Sequence, residues 1–114
     1  MGSAQHVGMK VEWRVPIGQT RPIMMALQTL AADTRSRPGC IGCSVWTDMT
    51  NGGIVRYSEN WRSEDDLRRR LQSETFMDLI TLIEDAIQPP KVEFTLASGA
   101  RGLDFVAEVR QSLA

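Results

Sequence analysis

The residues of this sequence that could do chemistry are few, and each has a plainer explanation beside the reactive one. Cys40-Ile41-Gly42-Cys43 has the CxxC spacing of redox and zinc sites. Redox pairs of that spacing open a helix, whereas this one enters a run of strand formers. There, residues three apart point to opposite faces with Cα atoms roughly 10 Å apart, too far for a disulfide. With no second pair and no nearby histidine, zinc lacks ligands, so the expectation is two buried or half-buried thiols and no metal site. The one histidine, His6, stands beside a chain terminus, a poor place for a general base or a haem ligand. Arg68-Arg69-Arg70 follows Glu64-Asp65-Asp66 at helical spacing, and pairs along a wet helix surface account for the run. Only if Arg70 points inward would its guanidinium stabilise an enolate or phenolate. Gly52-Gly53 is turn chemistry, because neither a GxGxxG nor a Walker pattern surrounds it, so no nucleotide cofactor is implied. Met24, Met25, Met77 and Leu79 are spaced as core residues with the capacity to line an adaptable pocket.

The elements that position these residues follow from periodicity. From Val7 to Val15, Met9, Val11, Trp13 and Val15 alternate with Lys10, Glu12 and Arg14, the period of a half-buried strand. Thr20 is the expected N-cap of a helix from about Arg21 to Thr34, with Pro22 in its first turn and Ile23, Leu27, Leu30 and Ala31 as its apolar stripe. Cys40 to Asp48 and Ile54 to Trp61 read as a hairpin about Asn51-Gly52-Gly53. Ser63 with the acidic residues after it opens a short helix through Leu67 and Leu71. Ser73 caps another, in which Phe76, Leu79, Ile80, Ile83 and Ile87 keep a helical stripe until Pro89-Pro90. Lys91 to Ala97 alternates as a fourth strand, and Phe105, Val106, Val109 and Leu113 predict a C-terminal helix over Leu103 to Leu113. The order is β-α-β-β-α(α)-β-α: an α+β fold, the split βαβ pattern of a ferredoxin-like domain with a four-stranded antiparallel sheet. One domain over 1–114 is expected, with its core at about 8–97 and a helical extension over 98–114.

Composition narrows the function classes. The chain has 114 residues, 42% of them apolar and 24% charged, with a net charge of -1, an ordinary globular balance that does not point to nucleic acid. No stretch approaches the ~18 apolar residues of a membrane span, and the first residues lack the apolar core of a signal peptide, so a cytoplasmic protein is expected.

Pro38-Gly39-Cys40 before the hairpin, then Tyr57-Ser58-Glu59-Asn60-Trp61 and Leu67, with Ser73, Phe76 and Pro90 beyond, resemble the pattern of the antibiotic-biosynthesis monooxygenase superfamily. The resemblance covers about Val11 to Leu96. It implies a dimeric α/β barrel, in which two copies pair through their sheets, and a pocket in each subunit between sheet and helices. The bottom-up reading agrees on the pairing. A sheet with helices on one face leaves the other open, and large side chains such as Trp13 or Trp46 would be costly there in water.

The resemblance further implies oxygenation of an electron-rich aromatic, anthrone-like or quinol-type, without metal or flavin. The protein then mainly positions the substrate in a dry pocket and stabilises charge. On that resemblance Asn60 and Trp61 are the first catalytic candidates: the amide to hydrogen-bond a substrate oxygen or O₂, the indole to pack against the ring. Alternation along a strand sets the two on opposite faces unless the strand bends, and each has a structural alternative, Asn60 as a helix cap and Trp61 as a core or dimer residue. Tyr57, Arg70 and Phe76 are the substrate-binding candidates. Many members carry a histidine where this chain has Arg70, and its absence disfavours haem breakdown. The rival reading is a non-catalytic dimeric domain, small-molecule-binding or stress-associated, because no helical histidine, cysteine nucleophile or paired carboxylates form a recognisable catalytic arrangement. A pocket of a few hundred Å³ with two or three convergent polar groups would favour the enzyme.

Overall fold

A computed structural model describes residues 7–48, 50, 53–84 and 88–111. His6, Asn51, Gly52, Ile87 and Leu113, each invoked above, lie outside those residues.

The strands are β1 (Val7–Arg14), β2 (Cys40–Thr47), β3 (Ile54–Trp61), β4 (Lys91–Leu96) and β5 (Gly99–Arg101); the helices are α1 (Thr20–Arg35), α2 (Glu64–Leu71), α3 (Glu74–Glu84) and α4 (Asp104–Gln111). All pairings are antiparallel, in the order β2-β3-β1-β4-β5. The sheet therefore has five strands where the sequence predicts four. Gly99-Ala100-Arg101 is too short and too mixed to show alternation, and it pairs with Phe94–Leu96 after a tight turn.

Helix ends mostly follow their caps. Ser63 Oγ accepts from the Asp66 amide at 3.1 Å, and Ser73 Oγ from the Phe76 amide at 3.3 Å, as the residue types predict. Thr20 differs: it is the first helical residue, and Gln19 occupies the cap position without a side-chain bond.

Alternation divides the sheet cleanly. Met9, Val11, Trp13, Val55, Tyr57, Trp61, Phe94 and Leu96 are all buried, and with Leu27, Leu67, Leu71, Phe76 and Leu79 from the helices they form one core. Trp13, expected as a reason to cover the open face, is instead 3% exposed in this core, because it shares parity with Met9 and Val11. The C-terminal helix joins the same core: Phe105 is fully buried, its ring 5.2 Å from that of Phe94, and Arg110 Nη1 donates to the Leu71 carbonyl at 2.7 Å.

Candidate functional site

β3 carries a buried polar cluster on its helix-facing side. Burying a carboxylate is costly unless donors replace its water, and Glu59, fully buried, is surrounded by them. Tyr57 Oη donates to Oε2 at 2.5 Å, and Trp61 Nε1 donates to Oε1 at 3.0 Å. Arg70, from the last turn of α2, donates through Nε at 3.3 and 3.1 Å to the two oxygens and through Nη2 at 3.0 Å to Oε2. The side chains of both partners are 0% exposed. Arg70 Nη1 reaches on to Ser73 Oγ at 3.3 Å and Thr75 Oγ1 at 3.0 Å, and its guanidinium lies 5.5 Å from the centre of the Phe76 ring. Arg37, from the turn before β2, donates to the same Thr75 oxygen at 2.5 Å.

Arg70 thus departs from the surface reading of the Arg68–Arg70 run. Arg68 and Arg69 do make the expected pairs with Glu64 and Asp66, at 2.9 Å each. Arg70 instead lies on the inward stripe with Leu67 and Leu71. Glu59 is the residue that sequence reasoning missed. The signal that could have found it is a carboxylate in step with Tyr57 and Trp61 on an inward-facing strand, which needs donors to replace its water.

The electrostatics hold each group in one form. Burial pulls the Arg70 guanidinium down, but the Glu59 charge and hydrogen bonds outweigh it and the net direction is up. Burial, then the Glu59 charge, pushes the Tyr57 phenol far above its ordinary range, so its hydroxyl stays a donor. Burial pushes the Cys43 thiol up to about 11. Cys40 and Cys43 are free thiols, as expected, but not on opposite faces. A bulge between Cys40 and Gly42 sets Cys40 opposite Trp61 and Cys43 opposite Glu59, both helix-facing positions.

The structure gathers Tyr57, Trp61, Arg70 and Phe76 around Glu59 and sets Asn60 apart. Asn60 is exposed on the helix-free face, opposite Gly8, where a Cβ would stand 2.6 Å from the Glu59 carbonyl and 3.1 Å from Asn60 Oδ1. One molecule bound on one side of the sheet cannot meet both Asn60 and the Trp61 ring. On the helix side, Trp61 and Arg70 border a crevice of about 50 Å³ with Arg37, Pro38, Asp66 and Arg69, room for roughly one water. Larger hollows lie elsewhere: a groove of about 550 Å³ on the helix-free face beside Lys10, Trp46, Arg56 and Glu93, and one of about 420 Å³ between α1 and α3 beside Leu30 and Leu82.

A four-strand split βαβ core with helices on one face defines the ferredoxin-like α+β class. The sequence profile described as antibiotic biosynthesis monooxygenase matches residues 7–81, and the chain belongs to that family. Among solved structures, a putative antibiotic biosynthesis monooxygenase from Nitrosomonas europaea superposes with TM-score 0.71 at 12% identity, covering 90% of this chain and 93% of that one. A protein from Pseudomonas aeruginosa superposes with TM-score 0.67 at 20% identity, over 82% and 95% of the two chains. A Bacteroides thetaiotaomicron protein described as a possible oxidoreductase gives TM-score 0.70 at 18% identity, over 81% and 97%. These likenesses concern the fold. No curated protein sequence matches the chain significantly.

Proposed function

We propose that the protein is a monooxygenase acting on a small aromatic or quinol-type substrate, with Trp61 and Arg70 on the substrate side of the Glu59 cluster. The supporting observation is that the family match over residues 7–81 includes every side chain of that cluster. In this reading Trp61 packs against the ring and Arg70 stabilises the anionic, electron-rich form of the substrate. Tyr57 and Glu59 hold those two in place, because the Tyr57 hydroxyl and the carboxylate are already bonded to each other. Asn60 faces away and serves the helix-free side. For an anthrone-like methylene, one atom of O₂ enters the carbon as a carbonyl and the other leaves as water with the two methylene hydrogens. The proposal calls on no metal or flavin. A ring substrate needs several times the volume of the crevice, so α2 and the Arg37-Pro38 turn that line it must draw apart to admit it.

Two copies pair through the helix-free face in this reading. Trp46, 40% exposed over the groove, supports it, since a second sheet would take that ring out of water. The free thiols of Cys40 and Cys43 fit a cytoplasmic, reducing compartment. No helix of the described residues is long and apolar enough to cross a membrane.

Oxygen uptake with a panel of reduced quinols and anthrones tests the proposal, comparing the wild type with Trp61→Phe and Asn60→Ala after subtraction of autoxidation. Enzyme-dependent uptake that falls in Trp61→Phe supports it; uptake at the blank rate throughout overturns it. A second reading, a binding domain without catalysis, draws on the small size of the crevice at Trp61 and on the saturated Glu59 carboxylate. It predicts ligand binding without uptake.

A further inference from the structure

The helix-free face is built of cross-strand rows. Trp46, Arg56, Glu12 and Lys91 form one row; Ser44, Ser58, Lys10 and Glu93 form the next. In the first row Arg56 donates to Glu12 at 2.8 Å and approaches Asp48 at 3.4 Å, and Lys91 alone is left without an ion pair among the described residues. In the second row both charges are left so. Lys10 and Glu93 stand directly opposite each other and are exposed, yet neither makes an ion pair among the described residues. Lys10 lies on β1, the middle strand of the sheet, and Glu93 on the neighbouring β4. Both border the groove of about 550 Å³ that Trp46 overlooks.

A twofold interface lays one patch on an identical patch, so a charged face matches itself only if it carries both signs with partners to spare. We propose that Lys10 of each copy pairs with Glu93 of the other, setting the register of the dimer, while Trp46 fills the groove. This rests on the pairing through the sheet stated above. The charges of this face divide the work: Arg56 with Glu12 and Asp48 stiffens each sheet, and Lys10 with Glu93 selects the partner.

The test is a charge exchange between copies, read by sedimentation velocity. Lys10→Glu alone sets two carboxylates against each other at both contacts, and Glu93→Lys alone sets two lysines together at both. Each is expected to weaken the dimer by about tenfold or more at low salt, because both contacts turn repulsive. A mixture of the two variants restores opposite charges across the heterodimer, so mixing must bring dissociation back to near the wild-type value. An ion pair formed only within one chain cannot produce that rescue. Should either variant fail to fold by circular dichroism, Lys10→Gln and Glu93→Gln replace them. Those are expected to abolish the salt dependence that the wild-type dimer shows. A wild-type dimer indifferent to these changes overturns the Lys10–Glu93 pairing and leaves the sheet interface standing, whereas a monomeric wild type overturns both.

Discussion

Replacing Arg70 by methionine probes the buried cluster without changing much volume. The substitution removes the guanidinium contacts to both Glu59 oxygens and to Ser73 and Thr75. What remains is a fully buried carboxylate with Tyr57 and Trp61 as its only donors among the described residues. Breaking a buried ion pair from one side costs about 3–5 kcal/mol, mainly because the surviving charge is uncompensated. For a domain of this size, about 4 °C is lost per kcal/mol, so Tm should fall by about 12–20 °C. Urea denaturation of three variants separates the causes. Arg70→Met should be the worst. Glu59→Gln combined with Arg70→Met should recover most of the loss, because no charge is left buried. Arg69→Ala, which breaks a pair whose arginine is 67% exposed, should cost less than about 1 kcal/mol. A loss under about 1 kcal/mol in Arg70→Met, or a double variant no better than the single, would refute the view that the loss comes from a buried charge left without its partner.

Two further outcomes follow from the same geometry. The Cys43 thiol is raised when folded, so the stability it contributes is complete below its unfolded value near 9 and is lost as the pH rises through about 11. Stability should therefore fall between pH 9 and 11 by up to about 2–3 kcal/mol, with Tyr57 shifted in the same direction, and Cys43→Ala should flatten part of that slope in urea titrations. Gly39 has φ +87°, and a Cβ there would stand 2.3 Å from the Asp66 carboxylate carbon. Gly39→Ala should cost about 1–3 kcal/mol by thermal unfolding, and adding Asp66→Ala should relieve the clash but not the backbone strain.

Much of the fold could be read from periodicity because burial here follows parity. Met9, Val11 and Trp13, or Val92, Phe94 and Leu96, advertise one face by alternating with charge, and Ser63 and Ser73 cap the helices their side chains predict. What escaped reading had no such pattern. β5 is three residues long. The bulge at Ile41 shifts the phase of Cys40 and is invisible in composition. The site was harder for a different reason. Arg70 and Glu59 are charged residues at inward positions, and a surface explanation was at hand for the first because its neighbours Arg68 and Arg69 do pair along the helix. Only the sheet register and the docking of α2 bring an acid and a base 11 positions apart into contact. The placement of Asn60 and Trp61 on opposite faces, by contrast, was already implied by their adjacency in a strand.

Isotope incorporation under ¹⁸O₂ decides most directly whether this chain is an oxygenase built around the Glu59 cluster. With an anthrone-type substrate, the wild type should place one labelled atom in the product well above the autoxidation rate. Trp61→Phe should lower that excess while keeping its fold, and Asn60→Ala should retain it. Label entering at the blank rate with every chain would contradict the oxygenase reading, and an excess lost in Asn60→Ala but kept in Trp61→Phe would place the chemistry on the other face of the sheet.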